Sequence, residues 1–134
     1  MHYAVKNALV KDGWTITDDP YYIKDKDSDL ELEADLGAER TIAAEKGSRK
    51  IVVEIKSFLS RSLITDFYMA RGQYLTYRDL LIRIEPESEL FLAISSLVFH
   101  DFFQIKIIQD IVRQDGMSIL VVNIVSEEVT QWIS

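Results

Sequence analysis

The chain has 134 residues, of which 48% are hydrophobic and 28% charged, the composition of a globular protein large enough to bury one core. Its apolar runs fall far short of the roughly 20 residues of a membrane span, and it has no cysteine for disulfides or a thiolate zinc site. The net charge of −7 argues against a generic basic nucleic-acid binder, unless clustered carboxylates hold a divalent cation at the phosphate.

The start of the chain also lacks a basic flank followed by an apolar signal core, so a cytoplasmic protein is expected. Neither internal repeats nor linkers rich in Gly, Pro or Ser are present. Residues 1–134 are therefore predicted to form a single domain.

The first third of the chain predicts one helix and two strands. In YAVKNALVKDG, apolar residues recur with the spacing of one helical face, which predicts a helix over 3–12 that ends at Gly13. WTIT reads as a short strand, stopped by the turn-forming DDP at 18–20. DLELEADL, residues 29–36, alternates strictly and predicts a half-buried strand with one acidic face.

The remaining elements alternate between sheet and helix. RTIAAEKGSRKIVVEIKSF predicts a β-hairpin around KGSR, and a 3.6-residue period from Ser62 to about Arg83 predicts a long helix that Pro86 ends. Residues 89–94 predict a central strand, 98–113 a helix, 118–125 a second central strand and VTQWI an edge strand. This order predicts a mixed α/β fold around one sheet.

A charged pair interrupts the apolar strand KIVVEIKSF. Glu54 and Lys56 lie two residues apart and so point to one face of the strand. For an E-x-K in an arbitrary strand, a structural ion pair at the end of a sheet is the favoured interpretation. Asp35 changes this, because it ends the preceding acidic strand and the hairpin can fold it back beside Glu54.

Two carboxylates and an ammonium group are then expected to converge. Close carboxylates repel one another unless a cation lies between them, and hard oxygen ligands suit Mg²⁺. Lys56 would orient or deprotonate the attacking water and stabilise negative charge in the transition state. The predicted chemistry is metal-assisted phosphodiester cleavage.

The order of an Asp, a hairpin, E-x-K and a helix resembles the PD-(D/E)XK nuclease superfamily. AVKNALVKDGWTIT, DLGAE, AAEKG, KIVVEIKSF and GQYLTYRDLL, in this order, resemble the cyanobacterial XisH family of fdxN-element excision-controlling factors over nearly the whole chain. The resemblance implies a restriction-endonuclease-like (PD-(D/E)XK) core, in which a mixed β-sheet is flanked by helices. It also implies an α-β-β-β-α-β order.

The resemblance implies roles for five residues. Asp35 becomes the motif aspartate and Glu54 the second carboxylate, both as ligands of Mg²⁺ or Mn²⁺, with Lys56 as the motif lysine. Gln73 and Tyr77 match a Q-x-x-x-Y arrangement seen in several nuclease lineages and lie on one face of the long helix. An equally weighted alternative places Tyr77 in the core stripe, with Gln73 merely flanking it.

The chain departs from the superfamily pattern at two points. Ala34 stands where the motif proline would precede Asp35, and the first helix lacks the glutamate that some members use. His2 is the nearest polar candidate on that helix, although a solvated helix start is favoured for it. Glu45 and Lys46, in the first arm of the hairpin, are further candidate neighbours of the site, although a surface pair is favoured for them.

Two main hypotheses of function follow, with a purely structural E-x-K pair as a third. The first is a Mg²⁺-dependent DNA endonuclease that acts in programmed DNA rearrangement. The second is a non-catalytic regulator that binds a recombinase, a partner protein or DNA. The resemblance implies an XisI-like companion, and a homodimer or hetero-oligomer is expected because many nucleases of this fold cut two strands.

Overall fold

The computed structural model describes residues 1–25, 30–32 and 40–134. In these residues the helices are α1 (His2–Lys11), α2 (Leu63–Ile84), α3 (Ser96–Asp101) and α4 (Lys106–Asp115). The strands are β1 (Thr15–Asp18), β2 (Ile23–Asp25), β3 (Leu30–Leu32), β4 (Arg40–Lys46), β5 (Arg49–Ile55), β6 (Ser88–Ser95), β7 (Ile119–Asn123) and β8 (Glu128–Ile133).

Six of the strands form one mixed sheet in the order β1-β4-β5-β6-β7-β8. The pairs β1/β4, β4/β5 and β7/β8 are antiparallel, whereas β5/β6 and β6/β7 are parallel. The predicted mixed sheet, the hairpin around residues 46–49 and the edge position of β8 are confirmed. A separate antiparallel pair joins β2 to β3.

Helices cover both faces of this sheet. Val5, Ala8 and Leu9 of α1 pack with one set of inward-facing strand residues. Phe67, Tyr74 and Tyr77 of α2 belong to the core on the opposite face, together with residues of the α3–α4 segment. None of the helices in the described ranges has the length and apolar character needed to cross a membrane.

The first helix ends as its sequence predicts. The Gly13 backbone has a φ of +94°, a conformation that glycine adopts without steric cost. The Trp14 amide then donates to the Leu9 carbonyl at 3.0 Å. The chain thereby reverses directly into β1, which lies at the edge of the sheet.

The long helix α2 is the crossover between the parallel strands β5 and β6, so it runs antiparallel to them. Its buried residues follow the predicted apolar stripe, with Asp66 in addition. Tyr74 links α2 to the sheet, because its hydroxyl donates to the Leu90 carbonyl at 3.1 Å and accepts from the Ser118 amide at 2.9 Å.

The prediction of one helix over 98–113 is wrong. The chain forms two helices, α3 and α4, separated by residues 102–105. Phe102 and Phe103 are both buried against Phe58 and Phe67, with ring centroids 5.6–6.2 Å apart. The turn between the helices lets both consecutive rings enter this aromatic cluster. The apolar residues keep a 3.6-residue spacing across the turn, and the sequence therefore predicts a single helix.

The strand predicted over residues 29–36 is described only in part. Residues 30–32 form β3 and pair with β2, which the sequence did not predict. Residues 33–36 lie outside the described ranges. The predicted burial of one face of this strand therefore stays a prediction.

Replacement of Tyr74 by Phe should destabilise the fold. The substitution leaves the Ser118 amide and the Leu90 carbonyl without the hydroxyl that satisfies them, which typically costs about 1–3 kcal/mol. Urea denaturation monitored by circular dichroism measures the change in the free energy of unfolding. Tyr68→Phe is the matched control, because Tyr68 lies on the same helix with 66% of its surface exposed; equal losses in both variants would contradict the expectation.

Candidate functional site

Glu54 is a buried carboxyl group near the end of a central strand. It lies on β5 directly opposite Thr41 of β4 and beside Leu92 of β6. The residue is 2% exposed, and burial raises the pKa of its carboxyl group to about 8. Its Oε1 atom has no hydrogen-bond partner among the described residues. In the free protein at neutral pH the group is therefore largely protonated.

Two further buried hydroxyl groups belong to the same region. Thr41 Oγ1 and the Tyr77 hydroxyl are enclosed, and the described part of the chain gives neither a hydrogen bond of normal geometry. Burial, and next the charge of Glu54, raise the pKa of the Tyr77 phenol far above its usual range, whereas the nearby Thr41 hydroxyl opposes the shift. Three polar side chains from β4, β5 and α2 thus approach one another in an apolar core.

Lys56 lies just beyond the carboxyl end of β5. Its backbone amide donates to the Ala93 carbonyl at 3.1 Å and so continues the pairing with β6. Its side chain is half-buried. Continued pairing keeps the two-residue alternation, which places the Lys56 side chain on the face of the sheet that carries Glu54.

The segment after Lys56 is fixed by a strained residue and a helix cap. Phe58 has a φ of 56°, a left-handed conformation that is costly for a bulky side chain. Asp66 in the first turn of α2 accepts a hydrogen bond from the Ser60 amide at 3.1 Å. The Ser62 hydroxyl accepts from the Thr65 amide at 3.2 Å and caps α2. These contacts fix the path of the chain next to Lys56.

The structure separates the other predicted residues. Gln73 is half-buried on α2, one turn before Tyr77 and nearer the carboxyl edge of β5. Glu45 is exposed and pairs with Lys50, four positions along the strand from Thr41. At about 3.3 Å per residue Glu45 lies roughly 13 Å from the Glu54 position. This distance supports the surface interpretation of Glu45 and removes it from the site.

Asp35 lies outside the described residues, so its predicted approach to Glu54 stays a prediction. Within the described ranges, no group of three or more His, Asp and Glu side chains is placed to hold a metal ion. Among the described residues, Glu54 has the character of a ligand for a hard cation, because its buried carboxyl oxygen lacks a partner there and lies next to hydroxyl groups that can bind water.

His2 belongs to a different cluster, centred on Asp19. The Asp19 carboxylate accepts from His2 Nε2 at 2.9 Å, Lys6 Nζ at 2.6 Å and Arg40 Nε at 2.7 Å. Burial would raise the pKa of Asp19, but the hydrogen bonds from Lys6, Arg40 and His2 outweigh it and lower the pKa to about 2. His2 is therefore hydrogen-bonded to a fully ionised carboxylate. This differs from the solvated position at the start of the helix that the sequence favours for it.

Thr41 and Asp19 do not stand out as site residues in the sequence. The register of the hairpin could have revealed Thr41. A turn that pairs Lys46 with Arg49 also pairs Thr41 with Glu54, because each of these two residues lies five positions further from the turn. Asp19 carried no such signal. It belongs to the turn-forming DDP sequence, and its partners His2, Lys6 and Arg40 lie 13 to 21 positions away along the chain.

The described residues define a three-layer α/β protein in which the crossover helix between two parallel strands covers a buried acidic residue. The chain belongs to the XisH family, because the family model described as XisH protein matches residues 1–130.

Two solved structures are similar over almost the entire chain. An XisH family protein from Nostoc punctiforme PCC 73102 is 37% identical, with a TM-score of 0.89 over 99% of this chain and 98% of that one. An fdxN element excision controlling factor protein from Anabaena variabilis is 39% identical, with a TM-score of 0.89 over 99% of this chain and 97% of that one. No curated protein matches the chain significantly.

Stability should fall with rising pH because of Glu54. Its carboxyl group is protonated in the metal-free folded state up to about pH 8, whereas in the unfolded state it ionises near pH 4.5. The unfolded state therefore binds fewer protons between these values, and the free energy of unfolding falls by up to about 1.4 kcal/mol per pH unit.

Glu54→Gln should abolish this contribution. We expect the variant to gain stability relative to the parent as the pH rises from 5 to 8, in urea denaturation with EDTA present. A stability difference that stays constant over this range would show that Glu54 does not titrate as its burial requires.

Tyr77→Phe should leave stability unchanged or raise it slightly. Removal of a buried hydroxyl that satisfies no partner is close to neutral, in contrast to the loss expected for Tyr74→Phe. Thermal unfolding of the two variants side by side makes the comparison. A loss of more than about 1 kcal/mol in Tyr77→Phe would show that the hydroxyl has a structural partner.

Proposed function

We propose that this protein is a Mg²⁺-dependent DNA endonuclease with a PD-(D/E)XK-type site, acting in programmed DNA rearrangement. Asp35 and Glu54 are the proposed ligands of Mg²⁺ or Mn²⁺, and Lys56 assists hydrolysis. The observation that carries the proposal is the buried Glu54 near the end of a central strand, followed two residues later by Lys56. One Glu54 carboxyl oxygen has no hydrogen-bond partner among the described residues.

The topology supports a core of this type. In the described sheet, α1 is followed by an antiparallel meander of β1, β4 and β5, then by α2 and the parallel strand β6. This is the α-β-β-β-α-β order that the superfamily resemblance implies. It brings the E-x-K residues to the carboxyl edge of the sheet, beside the start of α2.

The chemistry of Glu54 fits a divalent cation. A lone carboxylate in an apolar core is costly to ionise, and a cation beside it offsets that cost. When bound, Mg²⁺ would polarise the phosphoryl group and lower the pKa of coordinated water. Thr41 and Tyr77 add two hydroxyl groups that can orient water near the Glu54 carboxylate.

Lys56 has the proposed role of an electrostatic and positioning group. Its side chain projects from the same strand and the same face as Glu54, so it can donate hydrogen bonds to a water or a phosphate oxygen there. Gln73, one turn closer to the carboxyl edge than Tyr77, is proposed to bind a substrate oxygen. These residues would orient the water so that it attacks phosphorus while the opposite P–O bond breaks.

A non-catalytic regulator is the second candidate. The Anabaena variabilis protein is described as an fdxN element excision controlling factor. In addition, the net charge of −7 is unusual for a protein that binds a DNA duplex without a partner. In this role the protein would bind a recombinase, DNA or an XisI-like companion. A homodimer or hetero-oligomer is proposed for either function.

Lys56→Ala should abolish Mg²⁺-dependent cleavage while preserving the fold. Loss of one oriented charge in a water-poor site typically lowers the rate by about 10²- to 10³-fold. Cleavage of single-stranded, duplex and branched DNA, resolved on gels, measures the effect. Lys50→Ala is the control, because Lys50 is exposed on the same strand and should cleave like the parent.

Metal binding separates the two candidates. Asp35→Asn and Glu54→Gln should each weaken Mn²⁺ binding measured by calorimetry, whereas Lys56→Ala should retain it. A parent protein that binds Mn²⁺ yet cuts none of these DNAs, with or without an XisI-like companion, would exclude the endonuclease and favour the regulator.

A further inference from the structure

We propose that Lys6 and Arg40, gathered with His2 around Asp19, form a contact site for the backbone phosphates of a nucleic acid at the edge of the sheet that holds Lys56. The inference rests on the proposed function, since it supplies the phosphate contacts that an acidic nuclease needs. It concerns binding alone and can be tested apart from cleavage.

The cluster is cationic although a carboxylate lies at its centre. Two permanently charged side chains, Lys6 and Arg40, contact the single carboxylate of Asp19, and His2 adds a third donor. The group therefore carries a net charge of about +1 with His2 neutral and about +2 with His2 protonated. Asp19 is 12% exposed, whereas Lys6 and Arg40 are 29% and 37% exposed, so the cations lie nearer to solvent than the anion.

The cluster is adjacent to Lys56. Arg40 lies directly opposite Ile55, the residue before Lys56, so the backbones of Arg40 and Lys56 are roughly 6 Å apart while their side chains point to opposite faces of the sheet. The Ser57 hydroxyl contacts the Met1 sulfur at 3.6 Å, which brings the first turn of α1 against the segment after Lys56. Arg40 and Lys56 thus lie at the same end of the sheet, on its opposite faces.

The excess of acidic residues is concentrated in one short stretch of the sequence. Residues 24–39 hold seven of the 22 acidic residues and only two of the 15 basic ones. Most of the net charge of −7 therefore belongs to one short segment, and the rest of the chain is nearly neutral. Beside a nearly neutral remainder of the sequence, the net positive charge of about +1 at the Asp19 cluster, together with Lys56, can attract a phosphate backbone.

The test uses charge changes of opposite sign within the cluster. Lys6→Gln and Arg40→Gln keep a donor for Asp19 but remove positive charge, and Asp19→Asn removes negative charge. In fluorescence anisotropy with labelled duplex and branched DNA in EDTA, each Gln variant should weaken binding about three- to fivefold and lower the salt slope by about one. Asp19→Asn should instead tighten binding by a similar factor.

The opposite directions distinguish phosphate contact from a structural role. If the cluster only joins α1 to β4, all three variants should lose stability and none should tighten binding. Thermal unfolding checks that each variant is folded at the temperature of the binding assay. Lys106→Gln and Asp110→Asn carry the same charge changes at an exposed ion pair of α4 and should shift affinity less than twofold.

Three results would overturn the inference: absent DNA binding by the parent, unchanged affinity in the Lys6 and Arg40 variants, or equal shifts in the α4 controls. Cleavage assays on the same variants keep it separate from the proposed function. A parent that cleaves DNA while Lys6→Gln binds normally leaves the nuclease intact and removes the phosphate site. A parent that never cleaves but shows the opposite shifts leaves the phosphate site intact and removes the nuclease.

Discussion

The burial of one carboxyl group, that of Glu54, is the constraint around which this half of the core is arranged. The strand that carries it is otherwise apolar over Ile51–Val53 and Ile55, and these side chains are at most 1% exposed. An ionised carboxylate there costs several kcal/mol unless a partner is present. The core therefore either keeps Glu54 protonated or supplies a cation, and the two states differ in charge at the same position.

A comparison of two tyrosines on one helix shows that loose packing does not explain the unsatisfied atoms. Tyr74 and Tyr77 are both buried, and less than one helical turn separates them. The Tyr74 hydroxyl meets a backbone carbonyl and a backbone amide, whereas that of Tyr77 lies near Glu54 without a described partner. A core that satisfies one phenol so fully can satisfy the other, and unsatisfied buried groups in native proteins call for an explanation such as a bound ion or water.

Local periodicity predicted most of the fold because the apolar patterns here are long and regular. The stripe on α2 and the alternation in the hairpin each repeat often enough to fix the type of element. The same rule failed at Phe102, where the helical spacing continues through a turn that only tertiary packing of the aromatic cluster reveals. Glu54 was identified because a charge in an apolar strand is a local anomaly. Thr41 could then have been found from the residue pairing of the hairpin.

The Asp19 cluster was beyond local reasoning for a physical reason. Its members come from α1, the end of β1 and the start of β4, and each looks like an ordinary surface residue in its own segment. They meet only because α1 covers one face of the sheet while β1 and β4 pair at its edge. Net charge is a property of the whole chain, whereas a phosphate responds to the charges within about a Debye length of 10 Å. Net charge alone therefore does not decide whether an acidic protein presents a local cationic cluster such as the one at Asp19.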